Sequence, residues 1–293
     1  MNSFSQRVVA GTAANLSWQL IDGTGEPANP GTVTVTVTRA DGTVIVTGGA
    51  TSGATTAART YALTAAQTAT LDRLTVLWVA SGVTLATTEV DVVAAPWFSN
   101  DELRVAYAGL GVTAFPAATV STARLQAEAF LEDRCGRRFV PGYDLVTIPG
   151  AAGMNLVLPG VDVRTIRSAA LYDDPSSTAT ETLSAGEIAA IPKSASGVIS
   201  RYSGTWSARW VKVGFEHGMV APPLDMKAAA MLLTQHLLMA PKSQIPDNAT
   251  SWQSVEMGWS AILVTPGVRG AHTRLPTVNE AIEHWTFRKV GVA

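Results

Sequence analysis

What this sequence has little of narrows its chemistry quickly. The chain holds a single cysteine, Cys135, which excludes an intramolecular disulfide and argues against a cysteine-based metal site. Histidine is scarce as well: His217, His236, His272 and His284. Only His284, four residues after Glu280, shares a helical face with an acidic residue, and such a pair reads as an ordinary surface interaction rather than a metal face. Charged residues make up 15% of the chain and the formal net charge is −2, so no long-range field draws the protein onto nucleic acid. The balance is flat, with 4 basic and 6 acidic residues over positions 1–96 and 17 of each beyond them. No apolar run approaches the roughly 18 residues that a membrane-spanning helix needs. The opening MNSFSQRVVAGT lacks the apolar core of a secretion signal, which points to the cytoplasm of the producing cell.

Nucleotide and hydrolase signatures are missing too. Gly48-Gly49 and Gly150–Gly153 lack the lysine and hydroxyl of a phosphate-binding loop, and no nucleophile elbow of the G-x-S-x-G type occurs. Glu216-His217 is an imaginable acid/base pair, but neighbours on a strand point to opposite faces, which keeps them from cooperating directly. No catalytic residue, metal or cofactor is expected.

What is present is globular material: 47% apolar residues over 293 positions, enough for two modest cores. A surface poor in charge and rich in Thr, Ser, Ala and Gly suits coverage by neighbouring subunits. The first part reads as β. Asn15–Ile21 alternates apolar with polar before Asp22-Gly23, and Thr32–Thr38 alternates Thr with Val, as a half-buried strand does. Asp41-Gly42 turns the chain into Val44–Val46. Leu74–Ala80 and Thr87–Val93 follow, with Ser81-Gly82 between them. About seven short strands at this spacing suggest an immunoglobulin-like sandwich over residues 1–95, with Trp18 and Trp78 in its core.

After a joint at Ala94-Ala95-Pro96 the period changes. Ser99 with Glu102 forms a capping box for a helix through Leu103, Val105, Ala106 and Tyr107, stopping at Gly109 or Gly111. A second helix starts near Thr119, with Val120, Ala123, Ala127, Phe130, Leu131 and Cys135 on one face and Gly136 as its left-handed stop. Leu145–Ile148, Met154–Leu158, Val163–Ile166, Ala169–Tyr172, Val198–Tyr202 and Trp210–Phe215 read as strands. Pro222-Pro223 and Asp225 open a helix that runs through Leu224, Ala228, Met231, Leu232, Leu237 and Leu238 to Pro241. A polar loop over Lys242–Gln253, a strand over Gly258–Val264 and an amphipathic helix over Thr277–Trp285 complete the chain. The expected class is α+β: an all-β domain over 1–95, then a helical bundle with an inserted sheet over 97–293.

Two groups of residues stand out as contact candidates. Glu132, Asp133, Arg134, Arg137 and Arg138 place both charge signs around one helix stop, as a salt-bridge network within or between subunits does. Arg164, Arg167, Arg201, Arg209 and Lys212 are scattered over strands, with no base-reading helix among them. Trp206, Trp210, Trp252, Trp259 and Trp285 are a heavy tryptophan load. Trp252 and Trp285 occupy unlikely core addresses, where a partner surface commonly covers aromatics.

The second part presents an ordered set. A capped helix is followed by FLEDRCGRRFVP, then LPGVDVRTIRSAALYDD, then APPLDMKAAAMLLTQHLLM, then GWSAILVTPGVRGAHTRLPTVNEAIEHW. In this order, over residues 97–287, the chain resembles the head-to-tail connector (head-completion adaptor) proteins of long-tailed bacteriophages. The resemblance implies a virion protein, made in the host bacterial cytoplasm and placed at the head–tail interface. There it would form a dodecameric ring beneath the portal that extends the DNA channel. Its implied partners are the portal protein, a tail-side stopper or tail terminator, and packaged double-stranded DNA that passes without specific binding. A near-neutral chain suits that last role, because many phosphate contacts would hold the DNA tightly.

By the same resemblance Glu132, Asp133, Arg134, Arg137 and Arg138 would lie between subunits. Trp252, Glu280, His284, Trp285, Phe287 and Arg288 would meet portal or tail. The segment 277–293 would reach the portal, and the loop 241–252 would lie near an end or lumen of the ring. The segment 1–95 departs from the minimal family pattern and would be a peripheral addition, touching capsid or neighbouring subunits. Two other readings remain open: a two-domain binding module that attaches to glycan or protein through its β-sandwich, and a hydrolase centred on Glu216 and His217.

Overall fold

In a computed structural model, the structure describes residues 6–21, 24–53, 57–151, 153–202, 204–207, 209–240, 253–254, 259–260, 273 and 275–286. The fold is mixed α+β, with several sheets and, among the described residues, five helices. Its chain divides into two compact units, each built from two separate segments. The first joins residues 1–95 to 140–220; the second joins 96–139 to 221–293. The joint expected at Ala94–Pro96 coincides with one of these crossings. The strands after residue 140 group with the N-terminal strands.

In the first unit, β1 (Gln6–Val9), β2 (Ala14–Gln19), β3 (Thr34–Thr38), β4 (Val44–Ala50), β5 (Ala58–Leu63), β6 (Asp72–Ala80) and β7 (Val83–Val93) form two sheets. One has the order β1-β7-β6-β3-β4, with β1 parallel to β7; the other is the pair β2-β5. Alternation dictates the packing. Leu16, Val35, Val37, Leu63, Leu74, Val76, Trp78, Val90 and Val92 turn inward into one core, and Trp18 stacks on Trp78 with ring centroids 5.8 Å apart. Gly42, at φ 93°, makes the expected hairpin after Asp41, whose Oδ1 accepts the Thr43 amide.

The same unit continues with β8 (Gly142–Pro149), β9 (Asn155–Val157), β10 (Val163–Tyr172), β11 (Glu181–Thr182), α3 (Ala185–Ala189), β12 (Val198–Ser200) and β13 (Trp210–His217). A four-stranded sheet has the order β11-β10-β13-β8, and β9 pairs with β12. Their core includes Leu156, Ile166, Leu171, Ile199, Trp206, Val211, Val213 and Phe215. The two strands expected at Val163–Ile166 and Ala169–Tyr172 are one. Register shifts against β13 fall between Val163 and Thr165 and between Ile166 and Ser168. These extra residues break the two-residue rhythm that would have marked a continuous strand.

The second unit contains α1 (Asn100–Ala106), α2 (Ala117–Cys135), α4 (Leu224–Met239) and α5 (Pro276–Trp285). Ser99 and Glu102 form the expected capping box, and Gly136 closes α2 at φ 64°, the left-handed conformation that glycine takes without strain. α2 packs on α4 and α5. The buried stripe of α4 is Met226, Ala229, Ala230, Leu233, Thr234 and Leu238. Leu224 and Leu237 are exposed, and Phe130 of α2 is half-buried. β14 (Gln253–Ser254) and β15 (Trp259–Ser260) pair antiparallel; the rest of the loop 242–253 and of the strand expected at 258–264 lies outside the described residues.

Gly214 of β13 is required by close packing. A Cβ there would run into the Tyr143 hydroxyl and come within 2.6 Å of Ser168 Oγ. Gly214→Ala is therefore expected to destabilise the protein by about 1–3 kcal/mol, as overpacking does, read as a lower urea midpoint.

Candidate interaction surface

The helical unit brings together much of what the sequence marked. The geometry begins with α2, whose buried face is not the plain apolar stripe that spacing suggests. Arg124, Glu128 and Glu132 lie buried beside Val120, Ala127 and Leu131, one turn apart along the helix. Glu128 Oε1 accepts the Trp97 amide at 2.8 Å, and Glu132 Oε1 accepts the Phe139 amide at 2.7 Å. Arg124 Nη1 donates to the Phe98 carbonyl at 2.9 Å and to Asn100 Oδ1 at 3.2 Å, while its Nε lies 3.8 Å from Glu128 Oε1. Burial pulls the Arg124 guanidinium below its usual value, and the Glu128 carboxylate opposes this. Arg124 and Glu128 were missed as site elements, whereas Glu132 was marked as a contact candidate. The available signal was their spacing of four, which puts them along the edge of the apolar stripe.

Aromatic rings continue the cluster. Trp97 meets Phe139 edge-on at 5.2 Å, and Phe139 meets Trp285 edge-on at 6.0 Å. The Arg137 guanidinium carbon lies 5.4 Å from the Trp285 ring and 5.8 Å from Phe139, within cation–π range. Trp285 Nε1 donates to Asp225 Oδ2 at 2.7 Å, and His284 Nδ1 lies 3.3 Å from the same oxygen. Burial pushes the Asp225 carboxyl upward, but the hydrogen bonds from Trp285 and the Met226 amide, with His284 beside it, bring it below the usual value. Asp225 thus has two roles, favouring the N-terminus of α4 and tying α5 to it.

The expected contact residues therefore fall into different settings. Asp133 and Arg134 are exposed, and Arg134 covers the Phe130 ring at 5.2 Å. Glu132 and Arg138 are buried, and the Glu132 carboxylate is used within the chain, because the Phe139 amide needs an acceptor. Arg137 and Trp285 are half-buried and come together; His284 and Glu280 are exposed. Trp252, Phe287 and Arg288 lie outside the described residues. Trp206 is fully buried.

The alternative centre behaves differently. Glu216 binds Arg167, whose guanidinium carbon lies 4.7 Å from the Tyr143 ring. His217 is 4% exposed; its Nε2 lies 2.8 Å from Asp144 Oδ2, and Arg73 holds the other Asp144 oxygen at 3.1 Å. Glu216 and His217 thus have separate partners, as strand geometry requires. The His217 ring packs on Gly160, where a Cβ would meet Nδ1 at 2.7 Å. Among the described residues no group of three or more His, Cys, Asp or Glu is arranged to hold a metal ion, and no helix is long and apolar enough to cross a membrane.

No protein-family model matches this sequence, and comparison with curated proteins finds no match. The geometry itself describes a polar-templated helical unit with an aromatic and cationic cluster.

Two outcomes follow. Glu128→Ala leaves Arg124 buried without its counter-charge and the Trp97 amide without its acceptor, and is expected to cost about 3–5 kcal/mol; the Arg124→Met, Glu128→Leu double variant should cost less than the two single changes summed, as measured by urea unfolding. Burial pushes the Cys135 thiol up to about 12, so it stays protonated at pH 8. Disulfide-exchange reagent should label native protein at pH 8 only as fast as the helical unit opens, and urea-unfolded protein at once.

Proposed function

We propose that this protein is a structural assembly component, the head-to-tail adaptor of a long-tailed bacteriophage. It forms a dodecameric ring under the portal and carries the tail-side stopper or terminator on its other end. The strands of the first 95 residues are its immunoglobulin-like decoration, turned toward capsid or neighbouring subunits. The helical unit is the connector body. The order of elements from the capped α1 to α5 supports this reading, as does a flat charge balance that suits a channel through which DNA slides.

The observation that carries it is the exposed apolar surface of the helical unit. Lys227 Nζ holds Glu102 Oε1 at 2.6 Å. One turn from each partner stand Val105, 86% exposed, and Leu224, 85% exposed. Large apolar side chains left in water around an ion pair are what a subunit interface covers. A closed ring needs two different complementary faces on each subunit, and the Arg137–Trp285 cluster offers a second patch of distinct chemistry.

Negative-stain microscopy and light scattering of the purified protein, alone and mixed with portal protein, test this directly. Annular particles are expected. Val105→Lys with Leu224→Lys should reduce ring formation at least about tenfold while leaving monomer stability within about 0.5 kcal/mol, since both sites are exposed. A protein that stays monomeric with portal and binds polysaccharide would instead be the two-domain attachment module.

A further inference from the structure

The four-stranded sheet of the first unit is incomplete along one side. β11 pairs with β10 only at Ala170 and Leu171, and the Leu183 amide adds one bond to the Ala169 carbonyl at 3.0 Å. From Val163 to Ser168, β10 has β13 on one side and, among the described residues, no strand on the other. Beside this open stretch lies a groove of about 590 Å³ between Thr165–Ala169 and α3. Ile166, Leu183 and Ile188 give it an apolar lining, and Ser168, Thr182 and Lys193 give it a polar one.

Two physical facts select an occupant. A sheet edge offers backbone donors and acceptors at strand spacing, which an extended segment satisfies and a compact ligand does not. Charge then narrows the segment. Arg167 is neutralised by Glu216. Arg164 and Lys193 are exposed, and among the described residues neither forms an ion pair. No acidic side chain lines the groove. The register shifts at Arg164 and Arg167 blunt the edge against indiscriminate pairing, as bulges and edge cations do, while the same cations favour a segment of opposite sign.

We infer that this groove takes an extended, acidic peptide segment of a partner protein, added as a strand along β10 between Val163 and Ser168. The site belongs to the first unit alone, so its failure would leave the assembly reading untouched. The probe is a capped heptapeptide alternating Glu with Val, compared with its Lys/Val counterpart, read by hydrogen exchange and by fluorescence anisotropy of labelled peptide. The Glu/Val peptide should slow exchange at Val163–Ser168 and bind more weakly as salt is raised. Arg164→Glu with Lys193→Glu should lower its affinity about tenfold or more, with an unchanged circular dichroism spectrum. Equal binding of the Lys/Val peptide, protection confined to other segments, or no binding at millimolar peptide would overturn the inference.

Discussion

The segment 96–139 is held at both ends by one helix, and the rest of the helical unit depends on that grip. Trp97 and Phe139 sit where the chain arrives and departs, and each has a buried backbone amide that needs an acceptor. Glu128 and Glu132, adjacent turns of α2, supply them at 2.8 and 2.7 Å. A carboxylate accepting an N–H makes a stronger bond than a neutral partner, and a buried carboxylate left without one is costly. Arg124 completes the ladder by donating to the Phe98 carbonyl. Charge, rather than apolar contact alone, fixes the path of the chain.

Further contacts build on this ladder. Once Phe139 is fixed, its ring meets Trp97 and Trp285, and Trp285 brings α5 against Asp225 of α4. The segment FLEDRCGRRF is therefore more than a helix stop. Its Glu132 anchors the backbone, its Gly136 reverses the chain, and its Arg137 and Phe139 receive the C-terminal helix. In the proposed ring, this would give α5 a defined orientation before any partner meets it.

The first unit follows a different logic. Two sheets share the Trp18–Trp78 core, and the sheet containing β10 is tied to β6 through Arg73–Asp144 and to the residue just before β6 through Arg167, which donates to the Leu71 carbonyl. Partly exposed ion pairs of this kind contribute little stability but set position. Arg167 and Tyr143 fill one side of that link, while Gly214 leaves room for the Tyr143 hydroxyl.

The elements legible in the sequence are those whose causes are local. The Ser99–Glu102 box, Gly136, Asp41-Gly42 and Pro222-Pro223 act over three or four residues, and the structure places each where the sequence put it. Strand β5, reading ARTYAL, and the five-residue helix α3 were missed, the first because Thr60 is its one β-branched residue and alanines dilute its alternation, the second despite its Ser184–Glu187 box. Only the tertiary structure decided that Arg124, Glu128 and Glu132 are interior, that Leu224 is not, and that strands after residue 140 join those before residue 95. The physical reason is distance along the chain. A cap is satisfied by its own neighbours, whereas Glu128 becomes an interior residue only because an amide 31 positions away needs it.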